Sequence, residues 1–163
     1  MRNRIWSELT QAKHNVEFAT LYSDHQRFVL RVFNIGILAF SSAGIMGWKV
    51  WQNLPLIACI VIAILSLLKL LQPHLIMNEK QLKSLDDIHR FYADYYNQIE
   101  KLWYDYESGR LTEEQATKQF FKLKKRETDI NPIIAETIRN KPKRIVNKCK
   151  LHSDQYFNQV FNT

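Results

Sequence analysis

Two cysteines, four glycines and four prolines are all that 163 residues contain of the types that staple, bend or break a chain. Each scarcity excludes something. Cys59 lies in an apolar run and Cys149 in a basic tail, so the pair makes no disulfide framework. So few glycines and prolines leave little room for long loops or a β-rich fold. Neither an H-E-x-x-H nor a CxxC motif is present. Gly36, Gly44, Gly47 and Gly109 do not fall into a phosphate-cradling pattern. His14, His25, His74, His89 and His152 are scattered, which excludes a zinc constellation. Asp86, Asp87 and His89 are close in sequence, but they read as an exposed helix surface rather than a site. No catalytic, cofactor-binding or metal-ligating residues are expected, and the chain does not read as an enzyme.

Charge is also missing over one long stretch. Only Lys49 is charged between Val32 and Leu68. The runs Val32 to Trp48 and Val50 to Leu68 would cover about 25 and 28 Å as helix. A bilayer core is roughly 30 Å thick. These runs predict a transmembrane hairpin with spans at about 32–48 and 50–71. The alternative is a buried hairpin in a soluble all-helical domain. That would need apolar partner helices, and the remaining chain is highly charged. No short apolar region with a small-residue cleavage site precedes the first run, so it does not read as a signal peptide. The expected fold class is an all-α membrane protein: a cytoplasmic amphipathic helix over 1–31, the transmembrane hairpin over 32–71, and a cytoplasmic helical region over 72–163 with a basic tail. Lys13, Arg27 and Arg31 precede the first span, and Lys69, Lys80, Lys83 and Arg90 follow the second. The turn offers Lys49 alone, so both termini are expected in the cytoplasm.

Periodicity fills in the helices. Ile5, Leu9, Ala12, Val16 and Ala19 recur every three or four residues. No Pro or Gly interrupts before Gly36, so this helix is expected to run straight into the first apolar run. Pro55 suits a first helical turn. After Pro73 a long helix is expected, with a heptad seam of Leu85, Ile88, Tyr92, Tyr95, Ile99, Leu102 and Tyr106. That seam either packs against the chain's own later helix or joins subunits or a partner. Ser108-Gly109-Arg110 reads as a turn. Thr112 to Gln115 has capping-box form. Asn131-Pro132 and Pro142 read as breaks, with a final helix from Lys143.

Two further groups of residues are candidates for contact. Asn34, Ser41, Ser42, Gly44 and Ser66 are the small or polar residues of the apolar runs. They read as packing inside the hairpin, or as a pore or subunit contact. Arg139, Lys141, Lys143, Arg144, Lys148 and Lys150 form a basic block with no acid. It reads as a solvated face, an anionic-lipid contact, or an RNA or nucleotide contact.

The organisation resembles the SLATT family, two-transmembrane effector domains of bacterial conflict and phage-defence systems. The matching features are the N-terminal helix ending in Tyr22-Ser23-Asp24-His25-Gln26-Arg27-Phe28, the two close apolar runs, and the helix Leu82 to Tyr106 with His89, Phe91-Tyr92 and Tyr95-Tyr96. They cover residues 1 to about 140. The resemblance implies a multi-pass protein of the bacterial inner membrane. It implies an effector that oligomerises and permeabilises that membrane, causing growth arrest or death once a sensor partner releases it. Partners of that kind are a nucleotide-signal synthase or a reverse transcriptase–RNA complex, with membrane lipid and a second copy of the chain as further partners. Direct nucleic-acid contact would run through the basic tail. The family has no catalytic residues and no cofactor to carry over. The other functional class that fits is a small membrane anchor or adaptor that scaffolds a cytoplasmic complex.

Overall fold

With so few helix breakers, most of the chain is helical. The computed structural model describes residues 1–46, 55–138 and 140–161, and side chains within them except at 40–46, 55–58 and 73–75. Five helices run through the described residues: α1 (Arg2–Met46), α2 (Pro55–Leu75), α3 (Glu79–Glu107), α4 (Glu113–Thr137) and α5 (Lys143–Phe161).

Their ends follow from local chemistry. α1 runs unbroken past Gly36, as the lack of earlier breakers predicts. Asn78 and Gln81 form a reciprocal cap at the start of α3, with bonds of 2.8 and 3.0 Å. Gly109, at φ 70°, ends that helix. Its N–H donates to Tyr106 O and that of Arg110 to Asp105 O, which closes the helix in a Schellman turn. The Thr112–Gln115 capping box forms as the sequence suggests. Asn131-Pro132 does not break the chain, because α4 continues through Pro132 to Thr137. Proline removes its own N–H bond and crowds the carbonyl one turn back, and apolar packing beyond it outweighs that cost. Ile134 and Ile138 line a small cavity of about 50 Å³ with Phe18, Ile88 and Tyr92. Pro142 does separate α4 from α5, and its carbonyl accepts from the N–H groups of Ile145 and Val146.

The described chain divides into two units. The first, called the body here, joins residues 1–23 to 83–163, and the second spans 24–82. In the body, α3 forms the spine. Leu85, Ile88, Tyr92, Tyr95, Ile99 and Leu102 are all buried. Ile5, Leu9, Ala12 and Ala19 of α1, Ala116 and Phe120 of α4, and Cys149 and Phe157 of α5 complete the core. Trp6 seals one end, with ring centroids 4.9 Å from Trp103, 5.4 Å from Phe157 and 5.0 Å from Phe161.

The second unit contains the end of α1 and all of α2. Here the expected fold class is corrected. Among the described residues, no helix is long and apolar enough to cross a membrane, so an all-α membrane protein with a transmembrane hairpin is not supported. The placement as a multi-pass protein of the bacterial inner membrane is overturned with it. The physical reason is length. In α2 the apolar stretch Leu56 to Leu68 covers about 20 Å before Lys69, Gln72 and His74 intervene. In α1 the apolar part from Val32 is interrupted by Asn34, Ser41 and Ser42. The α2 stretch falls short of roughly 30 Å. The expected turn between the runs, with Lys49 and its flanking tryptophans, lies outside the described residues.

Candidate functional site

The body is pinned by polar groups placed on apolar faces. Glu8 sits one turn from Ile5 and Ala12 on the buried side of α1 and is itself buried. Tyr95 donates its hydroxyl to Glu8 Oε1 at 2.9 Å. Lys124 Nζ of α4 lies 3.0 Å from Glu8 Oε1 and 2.9 Å from Oε2, and 2.6 Å from Glu127 Oε2. Burial opposes the charge on Lys124, but its bonds to Glu127 and Glu8 win, and its pKa rises. The same two carboxylates act on the phenols of α3. Burial first, then Glu127 and Glu8, pushes Tyr92 up to about 12. Burial and the bond to Glu8 push Tyr95 upward as well. One network therefore ties α1, α3 and α4.

A second network ties α3 to α5. Tyr96 donates to Glu100 at 2.6 Å, and its hydroxyl lies 3.0 Å from that of Tyr156. Lys13 of α1 places its ammonium over the Tyr156 ring, 4.1 Å from the centroid. On the outside, Arg126 donates to Asp94 at 2.8 Å and to Gln98 at 2.9 Å, which lowers the Asp94 pKa. These bonds position helices. Among the described residues, no group of His, Cys, Asp or Glu side chains could hold a metal ion.

The residues expected from sequence fall into three places. The seam is filled by the chain's own helices: Leu85, Ile88, Tyr92, Tyr95, Ile99 and Leu102 are buried in the body, and Tyr106 is half-buried. It therefore offers no free apolar stripe to a second subunit. Asn34 and Ser66 are exposed in the second unit, whereas the side chains of Ser41, Ser42 and Gly44 lie outside the described residues. Of the basic block, Lys141, Lys143, Arg144, Lys148 and Lys150 are exposed, and Arg139 lies outside the described residues. None of these five pairs with a carboxylate among the described residues.

Sequence reasoning missed Glu8, Lys124, His14 and Ser153. Glu8 left a readable signal, a lone acid on an otherwise apolar stripe. Lys124 left none within the run Lys122 to Arg126. His14 of α1 and Ser153 of α5 both line a groove of about 510 Å³. Ser153 is 2% exposed, and its hydroxyl has no hydrogen-bond partner among the described residues. It is therefore not bonded to His14, and no activated nucleophile results.

The most exposed apolar surface belongs to the second unit. Ile60, Ile62 and Ile64 of α2 are 50, 62 and 53% exposed. At about 100° per residue, Ile60 and Ile64 share one side of the helix and Ile62 points to the opposite one. Leu67 and Leu70 extend the exposure, at 56 and 73%, whereas Val61 and Leu65 on a third side are half-buried. Phe28, Val32, Ile35 and Leu38 of α1 are likewise exposed.

Comparison with known proteins adds no relative: no family model, no curated protein and no solved structure matches the chain.

Proposed function

We propose that this chain is a lipid-active effector of a bacterial phage-defence system, restrained by a sensor partner until infection. The observation that carries the reading is the apolar exposure of α2 over most of its circumference. A protein partner covers one stripe of a helix, whereas lipid covers its whole circumference. Full burial of such a side chain stabilises by about 1.5–3 kcal/mol, so covering each half-exposed one contributes about 1 kcal/mol. The resemblance to SLATT effectors supports the same reading. The contact proposed is with lipid. No membrane crossing is part of it.

The test is leakage of dye-filled vesicles, paired with growth after induced expression. Wild type should release dye and arrest growth. Ile62→Arg with Leu67→Arg charges two sides of α2 and leaves the body untouched, so it should do neither. A folded double variant that still kills cells would overturn the reading. A second reading, an adaptor that scaffolds a complex, draws support from the five cations around α5 that pair with no carboxylate among the described residues. It predicts harmless expression and a stable co-purifying partner.

A further inference from the structure

Three features mark the groove between α1 and α5. First, it meets a buried donor with nothing to bond. A helical serine ordinarily returns its hydroxyl to a carbonyl one turn back. Ser153 does not, although it is 2% exposed and lines the groove. Second, Lys150 and Asp154 also line it. They are one turn apart on one face of α5, at a spacing where opposite charges commonly pair. Among the described residues, neither forms an ion pair. Third, the imidazole of His14 is held below its usual pKa, because burial and Lys141 together outweigh the pull of Asp154. It adds hydrogen-bonding capacity without a third charge. The groove thus carries one cation, one anion and one buried donor. Its volume of about 510 Å³ lies within the usual range for small-molecule pockets.

We propose that this groove binds a small zwitterion, its oxyanion held between Lys150 and the Ser153 hydroxyl and its primary ammonium held by Asp154. A simple anion would face repulsion from Asp154, and a simple cation would face it from Lys150. A zwitterion satisfies both charges at once. Free amino acids and the phosphoethanolamine head group share this chemistry, the second either free or on a lipid.

Calorimetric titration of the full chain with glycine and with phosphoethanolamine tests the free form. Vesicles containing phosphatidylethanolamine test the lipid form, against phosphatidylcholine vesicles, whose ammonium has no N–H. Saturable binding of any of the three zwitterions is expected. It should weaken at least tenfold in each of Lys150→Met, Asp154→Asn and Ser153→Ala. Ser153→Ala removes an orphaned hydroxyl, so the variant should keep its unfolding midpoint while losing the ligand. Binding of the free compounds identifies a soluble ligand. Binding of phosphatidylethanolamine vesicles alone identifies a head group, provided Lys150→Met abolishes it. Ile62→Arg with Leu67→Arg should bind glycine or phosphoethanolamine as wild type does, which separates this site from the lipid activity proposed above. Equal binding of inorganic phosphate or ethanolamine, unchanged binding in the variants, or no binding of any zwitterion at about 10 mM would overturn the proposal.

Discussion

Removing the Glu8 carboxylate should destabilise the body more than removing any exposed charge. In Glu8→Ala, the hydroxyl of Tyr95 loses its acceptor, and Tyr95 is 0% exposed. An orphaned buried hydroxyl costs about 1–3 kcal/mol. The lost methylene adds about 0.8 kcal/mol. Lys124 contributes little, because it keeps Glu127 at 2.6 Å and its side chain is 39% exposed. The expected total is about 2–4 kcal/mol. Glu8→Gln keeps the shape and an acceptor for Tyr95, so it should cost about 1 kcal/mol or less. Tyr95→Phe should cost about 1.5 kcal/mol, since Glu8 retains Lys124. The double variant should cost less than the sum by about 1–2 kcal/mol, because Phe leaves no hydroxyl to orphan. Urea unfolding followed by tryptophan fluorescence gives these values, since Trp6 and Trp103 pack against each other in the body. An unchanged slope would assign the shift to stability. Glu8→Ala within about 0.5 kcal/mol of wild type, or equal to Glu8→Gln, would refute the reasoning.

Thr112→Ala deletes one half of the α4 capping box and should lower stability by about 1 kcal/mol, read in the same urea series. Alkaline pH should unfold the body early. Tyr92 is pushed up to about 12 and Tyr95 and Tyr96 are also raised, so the folded phenols hold protons that the unfolded chain releases near 10. Their contribution is full below about pH 10 and lost as pH rises toward about 12. The share of tyrosinate absorbance that Tyr92→Phe removes should therefore appear together with loss of helix, and its earlier rise with the helix intact would contradict this.

Local chemistry was largely legible in the sequence. The Thr112 capping box, the Gly109 turn and the start at Lys143 each depend on residues within a few positions. The seam from Leu85 to Tyr106 was visible as a pattern, but a pattern does not say what covers it. Here α1, α4 and α5 do. Pro132 misled because its cost is local, whereas the packing of Ile134 and Ile138 that outweighs it is not. The apolar runs misled as spans because the polar residues at 69–74 shorten the uninterrupted apolar length of α2. Ser153 and His14 meet only through tertiary structure, across more than a hundred residues, so no spacing rule reaches them.

The body is assembled from the two ends of the chain, residues 1–23 and 83–163, with the apolar unit between them. This order has a consequence during synthesis. The apolar unit leaves the ribosome before α3, α4 and α5 exist. At roughly 5–20 residues per second, translation of residues 83–163 takes about 4–16 s. For that interval the face of α1 carrying Ile5, Leu9 and Ala12 has no core to join, and Glu8 has neither Tyr95 nor Lys124. Nascent chains in this window expose two apolar surfaces at once, which makes them natural clients for ribosome-bound chaperones.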